Sequence, residues 1–139
     1  HFPTPEAAED AFYAAFEARS LDAIMAVWSN DDSIACVHPL AAPLNGHAAV
    51  AAGWRSMFEA AGQFRVQVEL AHEIREADQI IRIVREYLII GQETEPRPPI
   101  LATNVFRKET DGWRMVLHHA SPLHVGGTPP ARTPPIVLH

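Results

Sequence analysis

The chain has 139 residues, enough for one domain with a core of its own, and 47% of them are hydrophobic against 20% charged. Its net charge is −6 and its only lysine is Lys108, which excludes nucleic acid as the main partner, because phosphate binding needs clustered cations. A single cysteine, Cys36, excludes an intrachain disulfide. No apolar run reaches membrane-spanning length, and a cytoplasmic location is the default expectation.

Thr4-Pro5-Glu6 reads as a helix start, with Thr4 capping, Pro5 at the first helical position and acid in the first turn. The helix should run to about Arg19 and bury Ala8, Phe12, Ala15 and Phe16. Ser20 can cap a second helix, in which Leu21, Ile24, Met25 and Trp28 recur at helical spacing. The short polar residues 29–33 break it, since they compete with the backbone for hydrogen bonds. Residues 34–38 then form a short strand closed by Pro39, followed by a loop over 40–46. Cys36 lies in this apolar run and reads as a buried structural thiol. A third helix from His47 carries Val50, Trp54, Met57, Phe58 and Ala61 on one stripe and ends near Gly62.

After the helices the period changes to two. Val66, Val68, Leu70, His72 and Ile74 should share one face, with Gln67, Glu69, Glu73 and Arg75 on the other. A turn at 76–78 leads into a strand over 79–91 that is apolar on both faces: Ile80, Val84, Leu88 and Ile90 against Ile81, Ile83, Tyr87 and Ile89. Such a strand needs cover on both sides. Helices supply one cover, and a partner subunit's sheet is the economical second, so a homodimer is expected. Asp111-Gly112 signals a tight hairpin between strands reaching from Ala102 to Pro122. Strict alternation puts Trp113, Met115, Leu117 and His119 on one face, and Arg114, Val116 and His118 on the other. Residues 123–139, rich in Pro and Gly, form a tail expected to pack on the body or on a partner, outside a domain spanning 1–122.

Helix, helix, short strand, helix, then four long strands is an α+β order. FYAAFEARSLDAIMAVWS, CVHP, LNGHAAVAAGWRSMF and TNVFRKETDGWRMVLHHASP, in that order, resemble the SnoaL-like or nuclear transport factor two-like superfamily. Within it the chain is similar to bacterial proteins like the calcium/calmodulin-dependent kinase II association domain. The resemblance implies a cone-shaped fold: three N-terminal helices on a curved, mainly antiparallel sheet ending in a long hairpin. It also implies a pocket between helices and sheet, and dimerisation through the convex face. The superfamily hosts isomerases, dehydratases and pure assembly domains, so fold alone does not assign function.

The aspartates sit on helix surfaces, loops and turns, which disfavours the aspartate-based chemistries of such folds. Histidine chemistry fits better, because an imidazole titrates near neutrality and moves protons in either direction. His119, aimed into the cone, and His38, at its rim, are the expected catalytic pair. An imidazole on an apolar face is more often a hydrogen-bonded core residue, and that reading stands beside the catalytic one. Trp54, Phe58, Asn104, Trp113 and Tyr87 are the expected pocket wall, although Tyr87 and Glu86 face opposite ways and only one can enter. Asn104 is the most informative of these, since an amide among apolar neighbours needs a partner. No metal and no cofactor are expected. Two functions remain open: a pocket protein, either lyase or isomerase, acting on an apolar carbonyl compound, or a non-catalytic association or ligand-sensing module.

Overall fold

Thr4 caps the first helix as its position predicts, its hydroxyl accepting from the Ala7 N–H at 3.0 Å. In the computed structural model, which describes residues 1–123, helix α1 spans Pro5–Ala18 and ends where Arg19 turns left-handed at φ 54°. Ser20 caps α2, Leu21–Met25. This second helix is shorter than its spacing suggests. Trp28 has left it and bridges Met115 instead, where its ring is buried against the sheet. Strand β1 is Ala35–Val37, and the stretch expected to be loop contains a two-residue strand, β2, Leu44–Asn45. Helix α3 is His47–Ala60. Four long strands follow: β3 Phe64–Arg75, β4 Gln79–Ile90, β5 Ile100–Glu109 and β6 Gly112–Pro122. No helix among the described residues is long and apolar enough to cross a membrane. The expectations for the tail beyond Leu123 lie outside the described residues.

The sheet order is β2-β1-β6-β5-β4-β3, antiparallel except for β1 beside β6. Helix α1 lies across one face, and Phe12, Phe16, Trp54, Val84 and Phe106 form the core between them. β4 faces the helices with Ile80, Val84, Leu88 and Ile90, the phase its alternation predicts. β3 and β6 depart from theirs. In β6 the partner of Phe106 is Met115 but that of Val105 is Leu117, so Val116 is an extra residue. In β3 the register slips in the same way between Leu70 and His72, at Ala71. An inserted residue disrupts the ladder locally, bends the strand and reverses which side chains face inward beyond it. Trp113 and Met115 therefore point inward with His118 and Ala120, and His119 is exposed on the outer face. The placement of His119 inside the cone is corrected by this bulge. Likewise His72 and Ile74 share the outer face with Ile83 and Ile81, while Glu73 turns inward beside Arg82.

Candidate functional site

The helix-covered face of β4 alternates Ile80, Arg82, Val84, Glu86, Leu88 and Ile90, so two charged side chains enter a mostly apolar layer. Pairing then sets their neighbours. Arg82 lies across from Asn104, and Asn104 across from His118. On the far side of β6, parallel pairing puts Cys36 beside His118, which brings His38 two residues later onto the same face. Helix α1 contributes Glu9 and Tyr13, one turn apart, over the middle of the sheet.

Between α1, α3 and the sheet is a cavity of about 260 Å3. Its wall is apolar apart from Gln63 and one end, where Glu86, His118 and His38 meet Trp54 and Phe16. Among the described residues, neither arginine nor lysine lines that wall. Glu86 and His118 are 4% and 3% exposed, and His118 Nε2 stands 4.0 Å from Glu86 Oε2. Behind them is a hydrogen-bonded cluster. The Tyr13 hydroxyl donates to Glu86 Oε2 at 2.5 Å, and Asn104 Nδ2 donates to Tyr13 Oη at 3.0 Å and to Glu9 Oε2 at 3.1 Å. Asn104 Oδ1 is 2.6 Å from His118 Nδ1. Arg82 closes the cluster, donating from Nε to Glu9 Oε1 at 2.9 Å and from its Nη1 to Glu73 Oε1 at 2.5 Å.

Burial drives the electrostatics of this end. It lifts the Glu86 carboxyl from 4.5 to about 7, against the pull of the Tyr13 hydrogen bond, and the charge of Glu9 adds to the rise. Burial holds His118 down at about 3, with repulsion from His38 and His119 adding to it. His38 is lowered for the same reason, and burial also pushes the Cys36 thiol up to about 12, which keeps it a protonated structural group. At neutral pH the cavity thus presents a neutral imidazole and a carboxyl poised to gain or lose a proton.

Of the expected site residues, His38 and Trp54 line the cavity. Phe58 lies one layer behind, its ring 5.6 Å from that of Trp54. Asn104 has the partners its burial demanded, but it stands behind His118 rather than in the wall. Trp113 packs in the core, and Tyr87 is on the outer face, so Glu86 is the one that enters. The expectation that Tyr87 belongs to the pocket wall is therefore corrected. Glu86 was legible from the period of β4, because it shares a phase with Val84 and Leu88. Glu9 and Tyr13 carried the weaker signal of polar groups flanking Phe12 and Phe16 on a buried helix face.

A model of the SnoaL-like domain matches residues 6–124. Among solved structures, the chain is similar to a Thiobacillus denitrificans protein named for the calcium/calmodulin-dependent protein kinase type II association domain. The two are 78% identical, with a TM-score of 0.87 over 88% of this chain and 98% of that one. It also resembles a Streptomyces avermitilis protein of the NTF2-like family named as a dehydratase, 26% identical, with a TM-score of 0.73 over 85% of this chain and 92% of that one. Among curated proteins it is 28% identical over 110 residues to the F-box protein SKIP8 of Arabidopsis thaliana. That match takes in 79% of this chain and only 46% of the relative, so the chain spans about half of its length.

Proposed function

This chain belongs to the SnoaL-like domain family, and on that premise we propose that its cavity binds a small uncharged molecule and exchanges protons with it through Glu86 and His118. The observation that carries the reading is the pairing itself: a carboxyl titrating near 7 and a neutral imidazole, 4.0 Å apart at the polar end of an apolar cavity. Two groups whose environments push their proton affinities apart are suited to opposite roles in one reaction. With a carbonyl compound between them, His118 Nε2 takes a proton from the carbon beside the carbonyl. Glu86 gives its proton to the carbonyl oxygen, and an enol results. Returning the protons at a different carbon completes an isomerisation. Expelling a β-hydroxyl as water, protonated by the proton that His118 has taken while the enol returns its own to Glu86, completes a dehydration. The dehydratase name of the Streptomyces avermitilis relative supports the same class of chemistry.

The wall also selects by charge. A carboxylate or phosphate ligand would lose its hydration with no cationic side chain among the described lining residues to replace it, which costs several kcal/mol, or roughly a thousandfold in affinity. A thermal-shift panel of small ketones and hydroxyketones set against carboxylates of the same shape is expected to raise the melting temperature with the first group alone. Stabilisation by the carboxylates and not by the ketones would contradict the reading.

A second reading concerns assembly and has its own observation. On the outer face Ile74 is 46% exposed and pairs with Ile81, while Ile83 lies next along β4. An apolar stripe of this kind is a surface for a second copy of the sheet. Sedimentation at micromolar concentration is expected to show a homodimer that Ile81→Glu dissociates, and a monomeric wild-type protein would exclude it.

A further inference from the structure

We infer that Asn104 is the positioning residue of the site: its carboxamide, oriented by the Arg82–Glu9 ion pair, holds the proton of His118 on Nδ1 and leaves Nε2 as the base. The inference rests on the proton-exchange reading above and supplies what that reading requires, a defined tautomer.

Donors and acceptors in the cluster can be paired in only one way. An arginine can only donate, so Glu9 Oε1 accepts from Arg82 Nε. Glu9 Oε2, facing Asn104 at 3.1 Å, is likewise an acceptor, and the amide must meet it with nitrogen. Turning the amide over would set two oxygens against each other at that distance. Both Nδ2 hydrogens are then used, one on Glu9 and one on the Tyr13 oxygen. Oδ1 is left for His118 Nδ1 at 2.6 Å, and the nitrogen there must carry the hydrogen. A neutral imidazole has only one N–H. Nε2 therefore keeps its lone pair, on the side facing Glu86.

The same amide acts on the acid. Because Tyr13 Oη accepts from Asn104, its own hydrogen goes to Glu86 Oε2. The proton that Glu86 exchanges is then carried on Oε1, which has no hydrogen-bond partner among the described residues. One side chain, fully buried at 0% exposure, thus fixes the hydrogen positions of both groups. Its own orientation is set from the outer end of the cluster, where Arg82 bridges Glu9 and Glu73. The titratable and charged groups around the pair are Glu9 and Tyr13 from α1, Cys36 from β1, His38 after it, Glu73 from β3, Arg82 from β4 and His119 from β6.

The test reads the tautomer directly. Nitrogen-15 NMR of the His118 ring in the wild-type protein at pH 7 is expected to show a neutral ring with its proton on Nδ1. In Asn104→Leu, the preference for Nδ1–H should fall roughly tenfold or more, the equilibrium worth of one buried hydrogen bond, with the exposed His119 as an unchanged internal control. A wild-type ring protonated on Nε2 would overturn the inference whether or not the variant folds. So would a folded Asn104→Leu protein with an unchanged tautomer, since loss of packing alone does not move a ring proton. The measurement needs no ligand, so a failure here leaves the cavity reading standing, and an inert cavity leaves the tautomer result standing.

Discussion

Replacing Glu86 with glutamine is expected to make stability fall more steeply than in the wild-type protein, by about 1.4 kcal/mol for each pH unit between 6.5 and 4.5. The slope is one proton's worth, and it comes from two groups that offset each other. Glu86, raised from 4.5 to about 7 by burial, keeps a proton in the fold that the unfolded chain has released. Its contribution to stability is complete below about 4.5 and is lost as pH rises through about 7. His118, held at about 3 by burial, refuses a proton that the unfolded chain binds below 6.5. Its contribution is present above 6.5 and is lost as pH falls toward about 3. Between 4.5 and 6.5 one term grows while the other shrinks, and their sum is level.

Removing either partner exposes the other. Glu86→Gln should lose about 3 kcal/mol over that descent, and His118→Asn should gain about as much. His38 is lowered in the same direction as His118, and it is present in all three proteins, so it cancels in the differences. The depressed carboxyls of Asp31, Glu73, Glu93 and Asp111 enter only below the ordinary carboxyl range. Urea unfolding of the three proteins at pH 4.5, 5.5 and 6.5 measures the slopes. Three parallel profiles would mean that Glu86 and His118 do not titrate as buried groups.

Trp54→Ala should cost about 4 kcal/mol, and Trp54→Phe much less. The indole is 1% exposed and touches rings on three elements: Phe12 at 5.5 Å and Phe16 at 5.7 Å from α1, His38 at 4.6 Å after β1, and His118 at 5.8 Å from β6. Truncation removes those contacts and opens the cavity into the core. Its Nε1 has no hydrogen-bond partner among the described residues, so a phenyl ring forfeits area but no hydrogen bond. Denaturant midpoints of the two variants decide the matter. A loss below about 1 kcal/mol for Trp54→Ala would show that the indole is not a packed element of the wall.

What could be read from the chain, and what could not, divides along the bulges. The Asp111-Gly112 hairpin, the capped start of α1 and the two-sided strand β4 follow from local chemistry and period, and each appears where that chemistry puts it. Strict alternation from Trp113 puts His119 in the cavity, and alternation fails at Val116. Nothing in WRMVLHHA marks that residue as the extra one, because a bulge is settled by how β6 must bend over α1 and beside β1, which are distant in sequence. Ala71 repeats the lesson in β3. Glu86 is a different case: its phase was readable, but the partners that let a carboxyl be buried there were not. Tyr13, Asn104 and His118 come from one helix and two strands, and only the assembled sheet brings them together.

The central claim is that the cavity holds a carboxyl able to exchange its proton near neutrality beside an imidazole that stays neutral. Carbon-13 NMR of the Glu86 side-chain carboxyl, followed from pH 4 to 9 and assigned with Glu86→Gln, tests it most directly. A titration centred at about 7, with His118 showing no protonation down to pH 5, is the predicted result. A Glu86 carboxyl titrating at its ordinary value of 4.5, or a His118 ring that becomes charged near 6.5, would contradict it.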